Sequence, residues 1–115
     1  MRIAVLALFL FSIIGFQTPG ALATTGRQLL DDCTGKQANQ LACLYFIGGF
    51  VAGANEVYTK HPESALAGRW CEPPKVTWIQ RREIVLNYIR EDVRRNTMNA
   101  KDIILEAHQE VFACD

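Results

Sequence analysis

The sequence has no excess charge of either sign, since its 115 residues carry 12 basic and 12 acidic side chains. A surface that binds a polyanion needs a surplus of lysine and arginine, so we expect no nucleic-acid partner. Histidine is scarce, with two residues, and GxSxG, HExxH and P-loop patterns are absent. We therefore expect neither an enzyme nor a cofactor. The chain also lacks internal repeats and low-complexity tracts, so its length predicts one small domain.

Long apolar runs are few, and one of them lies at the N-terminus. There, Arg2 precedes the apolar stretch IAVLALFLFSIIGF, and small residues occupy positions 21–23 as ALA. This order is typical of a secretory signal peptide with its cleavage site. We predict that residues 1–23 are removed and that residues 24–115 form the mature domain, with an uncleaved anchor as the alternative. Without Arg2, the mature chain has 11 basic and 12 acidic residues.

The four cysteines include no close CxxC-type pair, which argues against a zinc site. An even number of cysteines in a short exported chain instead predicts two disulfides. Three pairings are possible, and the sequence does not choose among them. We favour Cys33–Cys43, which lie close together across a turn, and Cys71–Cys114, which would tie the end of the chain to the segment before the third helix. We expect no metal.

No segment alternates with the period of a strand, whereas helix signals recur along the chain. Capping boxes predict helix starts after Thr25 and Thr77, and Asn99 predicts a fourth start. The first helix should end near Gly35, and the second should span about 40–59. The third helix should bury one face and place its arginines mostly in solvent; the predicted buried face is Ile79, Leu86, Ile89 and Val93, with Val85 and Tyr88 beside it. We predict an all-α compact bundle of four main helices cross-linked by two disulfides.

The stretch CLYFIGGFVAGANEV, residues 43–57, is the most apolar part of the mature chain. Its apolar run covers 41–54, whereas a helix needs about 20 residues to cross a bilayer. We therefore expect no membrane span after signal cleavage, but a central helix covered by neighbours on most faces. Gly48, Gly49 and Gly53 would allow another helix to approach closely, either within the monomer or from a second copy.

The connection between the second and third helices covers 61–76 and contains three prolines. Connections of this length are often functional. Of the two histidines, we expect His61 to be solvated in this connection and His108 to be exposed on the last helix. We expect Trp78 to pack in the core, while Trp70 could equally pack or anchor a partner.

The order of these features resembles the Rap/Tai family, the immunity proteins that neutralise amidase toxins delivered by type VI secretion. The resemblance covers essentially the whole mature chain. Its most specific parts are the segment around the third cysteine and the terminal Phe-x-Cys. The matching positions are Leu29, Leu30 and Cys33, then CLYFIGGFVAG from Cys43, then Cys71, Pro73, Val76, Thr77 and Gln80, then Val85, Tyr88 and Ile89, and finally Ala107, Phe112 and Cys114. The sequence departs from the family pattern at Leu44-Tyr45-Phe46 and at Ala113, where the family has Gly-Tyr and proline.

The resemblance implies a periplasmic inhibitor that blocks the active cleft of a peptidoglycan amidase with a papain-like Cys-His site. It also implies a homodimer, for which either the glycine strip or the third helix could serve, and the sequence does not choose between them. From the length of the connection and its anchoring at Cys71, we expect residues 59–70 to form the blocking element. The candidate partner-binding residues are Lys60, His61, Glu63, Arg69 and Trp70.

The alternative function is a periplasmic binding or stress-chaperone module with no cognate toxin. A chaperone that opens in acid needs clustered carboxylates whose protonation loosens the fold. The acidic residues here are scattered among nearly as many basic ones, which favours the inhibitor.

Overall fold

The computed structural model describes residues 25–64 and 70–115, and the predicted signal peptide and Arg69 lie outside these ranges. Four α-helices follow one another: α1 (Gly26–Thr34), α2 (Gln37–Lys60), α3 (Trp78–Glu91) and α4 (Ala100–Val111). A 3₁₀ helix, Val93–Thr97, joins α3 to α4. The described residues form no strand, only an isolated bridge between Thr25 and Asn99. The all-α prediction is therefore confirmed.

The helix starts follow from local side-chain chemistry. The side chains of Thr25 and Thr77 each accept a hydrogen bond from the backbone N–H three residues later. The side-chain oxygen of the glutamine at that position accepts a hydrogen bond from the backbone N–H of the threonine. These reciprocal bonds satisfy backbone donors that have no partner inside the helix. Asn99 caps α4 by accepting from the N–H of Lys101 at 3.0 Å. All three predicted caps are present.

The core lies between the four helices, with α1 and α3 packed against one face of α2 and α4 packed chiefly against α3. It is aliphatic, as expected for a small helical bundle. Its buried apolar residues are Leu29, Cys33, Cys43, Ile47, Val51, Ala54, Trp70, Val85, Leu86, Ile89, Ala100, Ile103, Ile104 and Ala107. The two disulfides have the pairing that the sequence analysis favoured: Cys33–Cys43 lies in this core, and Cys71–Cys114 lies at the surface.

The prediction that neighbours cover most faces of α2 is wrong. Only one face of α2 is buried, and Leu41 and Tyr45 on the other side are 52% and 60% exposed. The physical reason is that α2 is an outer helix, packed chiefly against α1 and α3. Gly48 does make the expected close contact, because a Cβ there would collide with the ring of Trp78. Gly49 and Gly53 have no described atom within 4 Å of such a Cβ.

The face predicted for α3 is also partly wrong. Leu86, Ile89 and Val85 are buried, but Ile79 is 57% exposed and Val93 is 78% exposed. Ile79 lies in the first turn of α3, and Val93 lies in the 3₁₀ helix, whose different turn angle removes it from the helical face. The prediction that Trp78 packs in the core is also wrong: its side chain lies against Gly48 and is 38% exposed.

Candidate partner-binding surface

The end of the long connection is anchored inside the protein by Trp70. Trp70 is only 4% exposed, and its ring packs edge-on against Tyr58 with the ring centres 4.8 Å apart. Its indole N–H donates to Asn55 Oδ1 at 3.0 Å. The tryptophan therefore fixes the chain to α2, and its ring does not face solvent as an exposed partner anchor would.

The other described candidates from the connection lie at the surface. Lys60 pairs with Glu56 one helical turn earlier, at 2.5 Å. The Nδ1 atom of His61 lies 3.2 Å from a carboxylate oxygen of Glu63, and the two side chains are 64% and 75% exposed. His61 is thus the solvated histidine that the sequence predicted. Ion pairs this exposed contribute little to stability, so these three side chains are available to a partner.

A buried ion pair holds the segment that follows Trp70. Arg81 donates two hydrogen bonds to Glu72 Oε1, at 2.9 Å from Nε and 2.6 Å from Nη2. Asn55 donates to the other carboxylate oxygen at 3.1 Å. The side chains of Arg81 and Glu72 are only 12% and 6% exposed, so the expectation that Arg81 lies in solvent is wrong. Its guanidinium turns inward because Glu72 supplies a planar carboxylate that it can bind with two donors.

His108 is the largest departure from the sequence analysis. It is fully buried rather than exposed, in contact with the rings of Trp70 and Phe112. Its Nδ1–H donates to the carbonyl of Ile104 at 2.8 Å, while Nε2 has no hydrogen-bond partner among the described residues. Burial lowers the pKa of His108 below its ordinary value of 6.5, because the charged ring would lose its hydration.

Two concave surfaces flank the segment 71–77. One, of about 420 Å³, has a mixed polar and apolar lining that includes the Glu72–Arg81 pair, Asn55, Tyr58 and Lys75. The other, of about 470 Å³, is an apolar groove between the start of α3 and the end of α4. Its apolar lining is Pro73, Val76, Ile79, Ile84, Val111 and Phe112. The segment therefore stands as a ridge between two depressions.

Sequence reasoning missed Glu72, Arg81, His108 and Lys75 as structurally informative residues. Lys75 is the one described non-glycine residue with a positive φ, at 71°. The dipeptide Pro73-Pro74 before it was a signal for a turn. The buried state of Glu72, Arg81 and His108 had no signal in the sequence around each residue, because it depends on which elements pack beside them.

The site contains no arrangement that points to metal binding. Within 25–64 and 70–115, no three histidine, cysteine, aspartate or glutamate side chains come together as a possible ligand set. Helix α2 is apolar over most of its length, and only a minor part of it is buried. By length and composition alone α2 could cross a membrane, but core helices of soluble proteins pass the same test, so this is weak support for a span.

The chain matches a known protein family. A protein-family model described as Rap1a immunity proteins matches residues 25–114. Searches of the curated proteins and of the solved structures found no match. The matched region begins at the N-cap of α1 and ends at the last cysteine, so it includes all four helices and both disulfides. The chain therefore belongs to the Rap1a immunity protein family.

Proposed function

We propose that this immunity protein acts in the periplasm, where it binds a peptidoglycan amidase delivered by type VI secretion and blocks its active cleft. The observation that carries the proposal is the family match over residues 25–114. Two disulfides support an oxidising compartment, and the apolar N-terminus supports export with cleavage after Ala23. An inhibitor of this kind needs no catalytic group of its own, so we propose no enzymatic activity.

The experiment is a toxicity assay with the product of the neighbouring gene. That protein is directed to the periplasm with or without this chain, and lysis is followed by turbidity. We expect rescue by the full-length chain and none by a form lacking residues 1–23, which stays in the cytoplasm. Lysis that proceeds equally in the presence of the exported chain would overturn the proposal.

We further propose that residues 59–70 form part of the blocking element. Lys60, His61 and Glu63 are exposed and follow directly from a rigid helix, while Trp70 anchors the far end to Asn55. A segment fixed at both ends loses less conformational freedom on binding than a free one. In this arrangement Trp70 acts by holding the segment, and Arg69 lies next to that anchor in the sequence.

This assignment is tested by replacing residues 60–69 with a Gly/Ser linker of the same length and retaining Trp70. We expect inhibition to be lost while helical circular dichroism and both disulfides persist. A linker variant that still protects cells would show that inhibition comes from another surface.

We propose that the open face of α2 joins two copies of the protein. Leu41 and Tyr45 expose apolar area there, and the uncovered Gly49 and Gly53 leave space for a second helix to approach closely. The face is self-complementary because it is apolar on both copies, as a two-fold interface requires. Ala38, Ala42 and Ala52 are also exposed on this side of α2, and Glu56, paired with Lys60, lies at its C-terminal end.

The dimer is tested by light scattering coupled to gel filtration. We expect twice the mass of the mature chain for the wild type and the monomer mass for Gly49→Arg, because an arginine there fills the space and buries its charge. Asn87→Arg, on the exposed side of α3, is the matched control and should leave the mass unchanged. A monomeric wild type at micromolar concentration would refute the dimer.

A further inference from the structure

The segment from Cys71 to Thr77 has no regular structure, yet it is held at several points. The N–H of Cys71 donates to the carbonyl of Phe112 at 2.7 Å, and its sulfur is bonded to Cys114. At the other end, Thr77 is fixed as the cap of α3 by Gln80. Between these ends lie two consecutive prolines, whose φ angles are restricted by their rings.

The buried carboxylate of Glu72 adds a further restraint. It bonds to Arg81 of α3 and to Asn55 of α2, and Asn55 also accepts from Trp70. Burying an ion pair costs hydration on both sides, so such pairs are weak evidence for net stability. Their geometry, in contrast, is highly restrictive, because the planar groups must face one another. The network therefore fixes the position of the segment relative to two helices.

Lys75 lies at the exposed part of this fixed segment. Its φ of 71° is a conformation that glycine adopts freely and that a residue with a side chain adopts at an energetic cost. The residue is exposed, and within the described residues its ammonium group makes no ion pair. A strained, unpaired lysine held by a rigid network is characteristic of a residue kept for contact with another molecule.

We propose that the Pro73–Val76 turn is a preformed effector-binding ridge, on which Lys75 binds a carboxylate of the effector while an adjacent apolar side chain of the effector enters the groove beside Ile79. This inference rests on the proposed function. The free ammonium group selects the anionic partner group, and the preset backbone reduces the conformational freedom lost on binding.

The apolar groove fits the second part of this contact. Ile79 and Val111 are 57% and 55% exposed on its two sides, and Pro73 and Val76 of the turn form its edge. Glu83, which also lines the groove, is paired with Arg82 at 3.1 Å. The lysine is therefore the unpaired charge of the ridge. A carboxylate of the effector can approach it without repulsion from an unpaired carboxylate of the groove.

The test measures binding of the purified mature protein to the effector encoded by the neighbouring gene, by calorimetry at two salt concentrations. We expect Lys75→Arg to bind like the wild type. Lys75→Ala and Lys75→Gly should each weaken binding about tenfold, which corresponds to about 1.4 kcal/mol, and should reduce its dependence on salt. Lys75→Glu should weaken binding more than either. Ile79→Ser should also weaken binding, but without changing the salt dependence.

The controls separate charge from backbone geometry and from net charge. Glycine relieves the positive φ and alanine does not, so equal losses in these two variants identify the charge as the cause. Lys101→Glu on α4 alters the net charge as much as Lys75→Glu and should bind normally. If every Lys75 variant binds the effector as tightly as the wild type does, this inference is overturned and the proposed function still stands. A wild type that does not bind the effector would overturn both.

Discussion

The two disulfides close regions of opposite character. Cys33 and Cys43 are 4% and 3% exposed and join two helices that already pack against each other. Cys71 and Cys114 are exposed and join an irregular segment to the last residues of the chain. The first bond lies within regular structure, whereas the second, together with the Glu72–Arg81 pair, holds a segment that has no helical hydrogen bonds of its own.

This difference separates stability from function. In the α1–α2 region, backbone bonds and apolar contacts maintain the geometry with or without the cross-link. In the 71–77 region, cross-links and side-chain bonds replace the missing secondary structure, so that the surface next to the proposed blocking element has one conformation. The same type of covalent bond therefore supports the core in one region and the proposed recognition surface in the other.

The largest expected effect is the loss of the second disulfide. Its cysteines are 43 positions apart, so the variant Cys71→Ser/Cys114→Ser should lose about 4 kcal/mol of unfolding free energy through increased freedom of the unfolded chain. Urea unfolding measures this loss. Effector binding should also fall at low temperature, where the protein is still folded. Unchanged binding by the folded variant would show that the bond is not needed to shape the surface.

The first disulfide should affect stability but not recognition. With a separation of 10 positions, the variant Cys33→Ala/Cys43→Ala should lose about 2.7 kcal/mol on the same loop-entropy estimate. Effector binding measured well below its melting temperature should match that of the wild type. If this variant lost binding as strongly as the other pair, the division between the two regions would be wrong.

Acidification should destabilise the 71–77 region through His108. Above pH 6.5 the histidine is neutral in both the folded and unfolded states, so it contributes no pH dependence. Below 6.5 the unfolded state binds a proton that the buried ring resists, so stability falls by at most about 1.4 kcal/mol per pH unit until the lowered pKa is reached. Glu72 favours the charged ring and Arg81 opposes it.

This pH effect is measured by urea unfolding and apolar-dye binding between pH 7 and pH 5. His108→Gln keeps a donor for Ile104 but does not titrate, so its stability should depend less on pH than that of the wild type. Asp92 does not interfere, because hydrogen bonds from Arg94 hold its pKa at about 2. Equal pH slopes for the two proteins would assign the effect to other groups.

The smallest effect compares neighbouring glycines of α2. Gly48→Ala should disturb the start of α3 beside the second region, because its Cβ would meet the ring of Trp78. Gly49→Ala meets no described atom and should stabilise the monomer by about 1 kcal/mol through helix propensity. Thermal unfolding of dilute protein measures both changes. A destabilising Gly49→Ala would mean that the open face of α2 is covered within the monomer.

Local patterns were sufficient to predict the starts of α1, α3 and α4, whereas α2 begins at Gln37 rather than near residue 40 and has no side-chain cap. The capping boxes at Thr25 and Thr77 and the cap at Asn99 depend only on residues within one helical turn. The resemblance to the immunity family was also visible in the sequence, because the cysteines and the residues around them follow one another in the order of the family pattern. The match to the family over residues 25–114 confirms that interpretation.

The candidate surface was harder to predict because burial is decided by neighbours. Arg81 and His108 lie at positions that helical periodicity assigns to solvent, and both are covered by the chain around Trp70 and Glu72. The reverse holds for Ile79 and Leu41, which are apolar by type and exposed by position.

The sequence by itself determined the helices, their caps and the family, since these depend on contacts between residues close in the chain or on the order of the cysteines. Only the tertiary structure decided that α2 has one open face, that His108 is buried and that Lys75 stands on a fixed ridge. Those properties depend on which elements pack together, and a helix with neighbours on one side cannot be distinguished by its own residues from a helix that is covered all round.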